Sequence, residues 1–290
     1  MIIVNPSAHH VSNSSLPEAD HPLYDVSTNY ALDDMVSHNG VNYKCTVEGT
    51  QGIEPAADSP NWSDQGAVNR LKAFDGGLNT ASEATDILNY TINATGLINA
   101  IALLRLDASQ VEVVVTNAQD QEVYRKNVKT AAVGVTNLKD YLLTGYSRIK
   151  DVVLLDIPSV VNSTIQINIT GSNINLGMVV MGYKKTIGST QNGFASGIRD
   201  FSKTVRDKNT GHVELKQGNF FKKRRLNMRI ERSQYSSVER YLTDIRATPS
   251  LYIVSQNDAD IYVFGYYTNF NLVGTNSKVA FCSINLEGLI

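Results

Sequence analysis

The side chains able to do chemistry are few and scattered. The five histidines, His9, His10, His21, His38 and His212, contain no HExxH spacing, and four of them fall in a polar N-terminal stretch. Cys45 and Cys282 stand far apart and form no CxxC pair, which predicts two neutral thiols rather than a disulfide framework or a zinc site. The GxSxG elbow, the phosphate-binding P-loop and the GxGxxG fingerprint are all missing. Carboxylates do occur in pairs: Asp33 adjoins Asp34, and Asp58 and Asp64 flank Trp62, the sole tryptophan. A glycosidase needs two carboxyls roughly 5–10 Å apart, one of them held protonated. Nine acidic residues crowd the first 64 positions, so a solvated acidic face is the plainer reading. The expectation is a protein without a catalytic centre, metal or cofactor.

Binding chemistry is better represented. Tyr30, Tyr43 and Trp62 offer rings that could stack on a sugar. In Asn69–Gly77, a link between two parts of the chain, Arg70 and Asp75 could pair and pin the connection while Phe74 is buried and the Gly76-Gly77 pair turns. Further on, Phe220 and Phe221 precede Lys222, Lys223, Arg224 and Arg225, and Arg229 and Arg232 continue the cluster. Cations with neighbouring rings suit either nucleic acid or an acidic protein surface. The charge distribution favours the protein. Residues 1–64 hold nine carboxylates against one lysine, whereas residues 198–232 hold eleven cations against four anions, so the two ends carry complementary surfaces.

Short strands must position these groups. Alternation is strictest at Thr164–Thr170, and further strands are expected over 98–106, 111–116, 122–128, 151–157 and 178–183, with turns at Asn117–Asp120 and Gly171–Asn173. Asn39-Gly40 between apolar runs signals a hairpin. Towards the C-terminus, strands are expected at 201–205, 212–215, 225–230, 251–255, 261–267 and 279–284. One helix is expected there, opened by a Ser236/Glu239 capping box, carrying Val238, Tyr241, Leu242 and Ile245 on one face, and stopped by Pro249. The fold class is therefore mainly β in three parts. Residues 1–66 form a polar arm, Pro6–Pro22, and a small β module. Residues 67–185 form a β-sandwich or jelly roll, and 186–290 an antiparallel sheet with one helix. No run of eighteen apolar residues occurs, and the first residues lack a basic stretch and apolar core, so neither a membrane span nor a signal peptide is expected.

Particular residues also carry a resemblance. The run from Tyr30 through Gly40-Val41-Asn42-Tyr43-Lys44-Cys45 to Pro55 and Trp62 resembles the small chitin-binding-like carbohydrate modules. Its continuation, Trp62–Arg70 with Phe74-Asp75, resembles a junction found in structural proteins of tailed bacteriophages, and the middle part is similar to galactose-binding-like jelly rolls. Thr210-Gly211, Asn219-Phe220, Arg224-Arg225, Arg246–Pro249 and Cys282–Leu289 resemble the C-terminal domain of the same phage proteins. The resemblance implies a tail or tail-adaptor subunit of a virion, made in the host cytoplasm. It would be arranged as a homo-oligomeric ring beside other tail or connector proteins. Attachment to a host-surface glycan is the alternative implication, with glycan hydrolysis ranked behind it.

Overall fold

A computed structural model of the chain describes residues 1–130, 149–191, 193–206, 213–255 and 261–289. They are mainly strand, in antiparallel sheets, with a single α-helix among them near the C-terminus. His212 and the Thr210-Gly211 motif lie outside the described residues.

The first strand, β1 (Ile2–Pro6), pairs on one edge with the middle of the chain and on the other with the C-terminal part. Apolar residues on both its faces explain the position: Ile3 enters one core, and Ile2 and Val4 enter another on the opposite face. Next comes β2 (His9–Ser14), which pairs with a strand of the sandwich. The segment read as a polar arm is thus partly a strand docked on its own chain. The small module follows as a three-stranded sheet of β3 (Met35–His38), β4 (Val41–Cys45) and β5 (Trp62–Ala67). Its hairpin turns at Asn39 and Gly40, with φ of 50° and 79°, as the Asn-Gly pair predicts.

The sandwich is built on two long strands, β6 (Ser82–Ile98) and β11 (Val160–Thr186). Between them lie β7 (Ala100–Asp107), β8 (Gln110–Thr116), β9 (Glu122–Lys129) and β10 (Val152–Leu154). The first half of β11 pairs with β6 and β8, and its second half with β7 and then β1. Residues from both halves meet in one core, where Tyr90, Ile92, Ile165 and Ile167 share a cluster with Leu103, Leu154, Leu176 and Val179. The turn expected at Gly171–Asn173 is instead a register shift inside β11. Gly171 passes so close to the backbone at Ser109, 3.1 Å from an ideal Cβ, that the chain bends there without reversing. The expected turn at Asn117–Asp120 does form, with the Asn117 side chain accepting from the Gln119 and Gln121 amides.

The C-terminal part contains β12 (Ser189–Thr190), β13 (Ala195–Asp200), β14 (Lys203–Arg206), β15 (Val213–Lys216) and β16 (Phe220–Glu231). Helix α1 (Tyr235–Asp244) follows, then β17 (Ser250–Ile253), β18 (Tyr262–Gly274) and β19 (Val279–Gly288). One path of hydrogen-bonded strands runs β10-β7-β11-β1-β17-β18-β19-β16-β12, so β1 joins the sandwich to the C-terminal sheet. Val238, Leu242 and Ile245 seat the helix on Leu226, Met228, Ile230 and Ile284 of that sheet. The capping box does not form. A 3-10 turn, Arg232–Gln234, leads into the helix, so Ser236 already lies in its first turn and makes no cap bond.

Candidate assembly interface

Five of the residues with catalytic potential, Asp33, Asp34, Asp64, His9 and His38, are engaged locally. Asp33 pairs with Lys44 at 2.7 Å, Asp34 accepts the Ala31 amide at 2.8 Å, and Asp64 accepts the Gly66 amide at 2.7 Å. His38 bonds Glu54 at 2.8 Å, and His9 contacts the Ser7 carbonyl oxygen at 2.9 Å. Among the described residues no three His, Cys, Asp or Glu side chains converge on a metal-sized site, and no helix is long and apolar enough to cross a membrane.

The aromatic trio is not a platform. Tyr30, Tyr43 and Trp62 are only 6%, 7% and 3% exposed and, with Val36 and Cys45, constitute the core of the small module. Trp62 stands edge-on to Tyr30 at 5.2 Å and to Tyr24 at 6.0 Å, and its indole N–H donates to the Ile53 carbonyl at 2.8 Å. A module this small has few apolar residues, so its rings are spent inward and none keeps a face for a sugar.

The link between module and sandwich is pinned differently from expectation. Arg70 donates to the Ser12 carbonyl at 3.3 Å rather than pairing with Asp75. Asp75 instead accepts the Gly77 amide and the Thr80 hydroxyl, both at 2.7 Å, closing the turn at Gly76, whose φ is 81°. Phe74 is half-buried, edge-on to Tyr90 at 5.1 Å, and so holds the link against the sandwich core.

The basic run is one strand, and strand geometry divides it. Leu226, Met228 and Ile230 face the helix-side core, which places Lys222 and Arg224 on that face and Lys223, Arg225 and Arg229 on the other. Lys222 lies 4.7 Å from the Tyr262 ring and Lys223 pairs with Glu287 at 2.8 Å. Arg232, beyond the strand, stacks on Tyr235 at 4.6 Å. Arg225 and Arg229 are exposed and form no ion pair among the described residues. The expected continuous basic patch is therefore two half-patches on opposite faces.

The same strand leads into a feature the sequence reading missed. Over the described residues 195–206 and 213–225 the chain runs as a two-stranded ribbon, with β13 against the start of β16 at the edge of the large sheet and then β14 against β15 as a separate pair. Every described residue from 193 to 206 and from 213 to 217 is exposed. Ile198 is 61% and Leu215 77% exposed, and Phe201, Val205, Val213 and Phe220 are exposed as well. Arg199 lies over Phe201 and Phe221 at 5.5 and 6.0 Å, ordering the ribbon's base. Alternation alone cannot reveal such a ribbon. Its residues read as ordinary strand, and only the missing opposite layer marks them.

Between the ribbon's base and the sandwich lies a cleft of ≈ 1060 Å³, with Arg105, Asp107, Lys150, Asp151, Lys222 and Tyr262 along its wall. Burial, and then the Asp151 carboxylate, push the Tyr262 hydroxyl far above its ordinary range, so it stays protonated there. Asp151 also accepts the Arg105 amide at 2.9 Å, holding Arg105 at a φ of 52°. Asp151 thus braces the cleft wall through a backbone amide and a tyrosine hydroxyl.

No protein-family model and no curated protein sequence matches this chain.

Proposed function

We propose that this chain is a structural subunit of a tailed-phage virion, a tail or tail-adaptor component that acts by docking onto its neighbours and catalyses no reaction. The observation that carries the reading is the ribbon of described residues 198–206 and 213–222, which exposes Ile198, Phe201, Val205, Val213, Leu215 and Phe220. A two-stranded ribbon in water is marginal by itself, and contiguous exposed apolar surface on a soluble chain marks an interaction site. The phage assignment rests on the resemblance of the Gly40–Cys45, Trp62–Arg70 and C-terminal motifs. In the virion, its neighbours would be further copies in a ring and adjoining tail or connector proteins.

Magnitudes favour a repeated contact over a single one. Fully covering a Leu, Ile or Phe side chain yields about 1.5–3 kcal/mol. Ile198, Leu215 and Phe220 are 61%, 77% and 51% exposed, so covering what remains of them supplies roughly 3–6 kcal/mol, at the bottom of the roughly 4–15 kcal/mol that association costs. One ribbon would bind weakly. Closing a ring makes the last contact intramolecular, and the assembly holds where a pair would not. Glycan attachment loses its support in the module because the three rings are buried.

The test is incorporation into particles. Ile198→Asp with Leu215→Asp changes two exposed side chains and should leave the monomer's melting temperature within about 2 °C of wild type. The variant should sediment as a monomer and be missing from particles. Wild-type incorporation by a folded double variant overturns the proposal.

A further inference from the structure

The ribbon has a counterpart on the same chain. In the small module, the loops 23–34 and 46–54 are tied together by the Tyr30–Thr50 bridge, by Gln51 donating to the Ser27 carbonyl at 2.7 Å, and by the Leu32 amide donating to Glu48 at 2.8 Å. That loop face exposes Leu23, Val26, Leu32, Val47 and Ile53. Isolated exposed apolar residues are ordinary, but five on two loops bonded to one another exceed that scatter. Around it stand Asp25, Asp33, Asp34, Glu48 and Glu54, and Lys44 is the only cation in the first 64 residues. The ribbon reverses this pattern, setting its apolar side chains among Arg199, Lys203, Arg206, Lys216 and Lys222, which outnumber its described carboxylates Asp200 and Glu214.

We infer that the ribbon of one copy seats on the acidic loop face of the module of a second copy, head to tail. This rests on the assembly reading above and names its partner. Within one chain both surfaces remain exposed, so neither covers the other. Each has what the other needs: apolar side chains of similar number and charge of opposite sign, which steers the encounter and penalises pairing of like with like. Two ribbons, or two loop faces, would bring like charges together. A two-fold contact is therefore disfavoured, and the contact that remains is heterologous. Such a contact leaves a bound pair with one free ribbon at one end and one free loop face at the other, so it propagates until a ring closes.

Disulfide trapping tests the pairing, because Cys45 and Cys282 are both buried and do not compete. Cysteine is placed on the loop face, as Val26→Cys or Leu32→Cys, and on the ribbon, as Ile198→Cys or Leu215→Cys. Mixing a loop-face variant with a ribbon variant should give a disulfide-linked dimer and nothing larger. A chain carrying one cysteine of each kind should give a ladder of covalent multimers. Raising salt from about 0.1 M to about 1 M, which shortens the screening length from roughly 10 to 3 Å, should slow trapping by about tenfold or more. Disulfides between two ribbons or between two loop faces overturn the inference, as does closure of the doubly substituted chain on itself. Assembly without trapping at any of these pairs overturns the pairing but leaves the assembly reading standing. Wild-type assembly by the Ile198→Asp, Leu215→Asp chain overturns the assembly reading itself.

Discussion

Trp62→Ala separates a core tryptophan from a sugar-stacking one. The ring is 3% exposed, packs edge-on against Tyr24 and Tyr30, and holds the Ile53 carbonyl through its N–H. Removing a buried Trp side chain costs about 3–5 kcal/mol, from lost transfer energy and the cavity left behind. Loss of the two edge-on aromatic contacts pushes the cost toward the upper end of that range. A module of roughly 50 residues holds only about 3–7 kcal/mol of stability in total. The substitution should therefore consume most of it and open the module while the sandwich stays folded. Hydrogen exchange with peptide-level mass spectrometry reads this directly. Amides of β3, β4 and β5 should lose about 10²-fold or more of their protection, which corresponds to roughly 2.7 kcal/mol or more, and amides of β6, β8 and β11 should keep theirs. Unchanged protection of the module combined with lost binding to a glycan array would refute the core assignment and return Trp62 to a ligand-facing role.

Two other perturbations probe the frame. An ideal Cβ at Gly182 would run into the backbone carbonyl of Asn5, where β11 and β1 lie side by side, so Gly182→Ala should force the strands apart. A melting temperature lowered by several degrees, with the first six residues newly open to proteolysis, is the expected result; an unchanged melting temperature would deny β1 its joining role. Tyr90 is fully buried in the sandwich, and burial pushes its hydroxyl up to about 12 against the smaller opposing effects of Ser82, Arg70 and Ser14. Because its folded value is raised, its contribution is fully present below about pH 10 and lost as pH climbs toward 12. Tyr90→Phe should flatten the alkaline fall in stability over that window, measured by urea unfolding at stepped pH, and an equally steep fall in the variant would contradict the burial.

Part of this fold is written locally. The alternation of Ile165, Ile167 and Ile169 states a half-buried strand without help from other residues, and β11 contains it. Asn39-Gly40 makes its hairpin because those residues tolerate positive φ. Val238, Leu242 and Ile245 bury one helical face whatever begins the helix, which is why the apolar stripe was legible and the Ser236 cap was misplaced by a preceding 3-10 turn. β6 alternates as clearly, with Leu88, Tyr90, Ile92 and Ala94 inward, yet its Asn and Thr neighbours masked it as a strand.

The sequence by itself determined that the chain is mainly β, that its ends carry opposite charge, and that it contains no recognised catalytic motif, since propensity, charge and spacing are properties of neighbouring residues. Tertiary structure alone decided which side chains are available. It turned Tyr30, Tyr43 and Trp62 inward, parted Lys222 and Arg224 from Lys223 and Arg225, and set β1 between the sandwich and the C-terminal sheet. It also left the described residues 198–206 and 213–217 exposed, without an opposing layer. The physical reason is the same in each case. A strand's period fixes which residues share a face, but whether that face meets core or water depends on what lies across from it, and that partner comes from sequence far away.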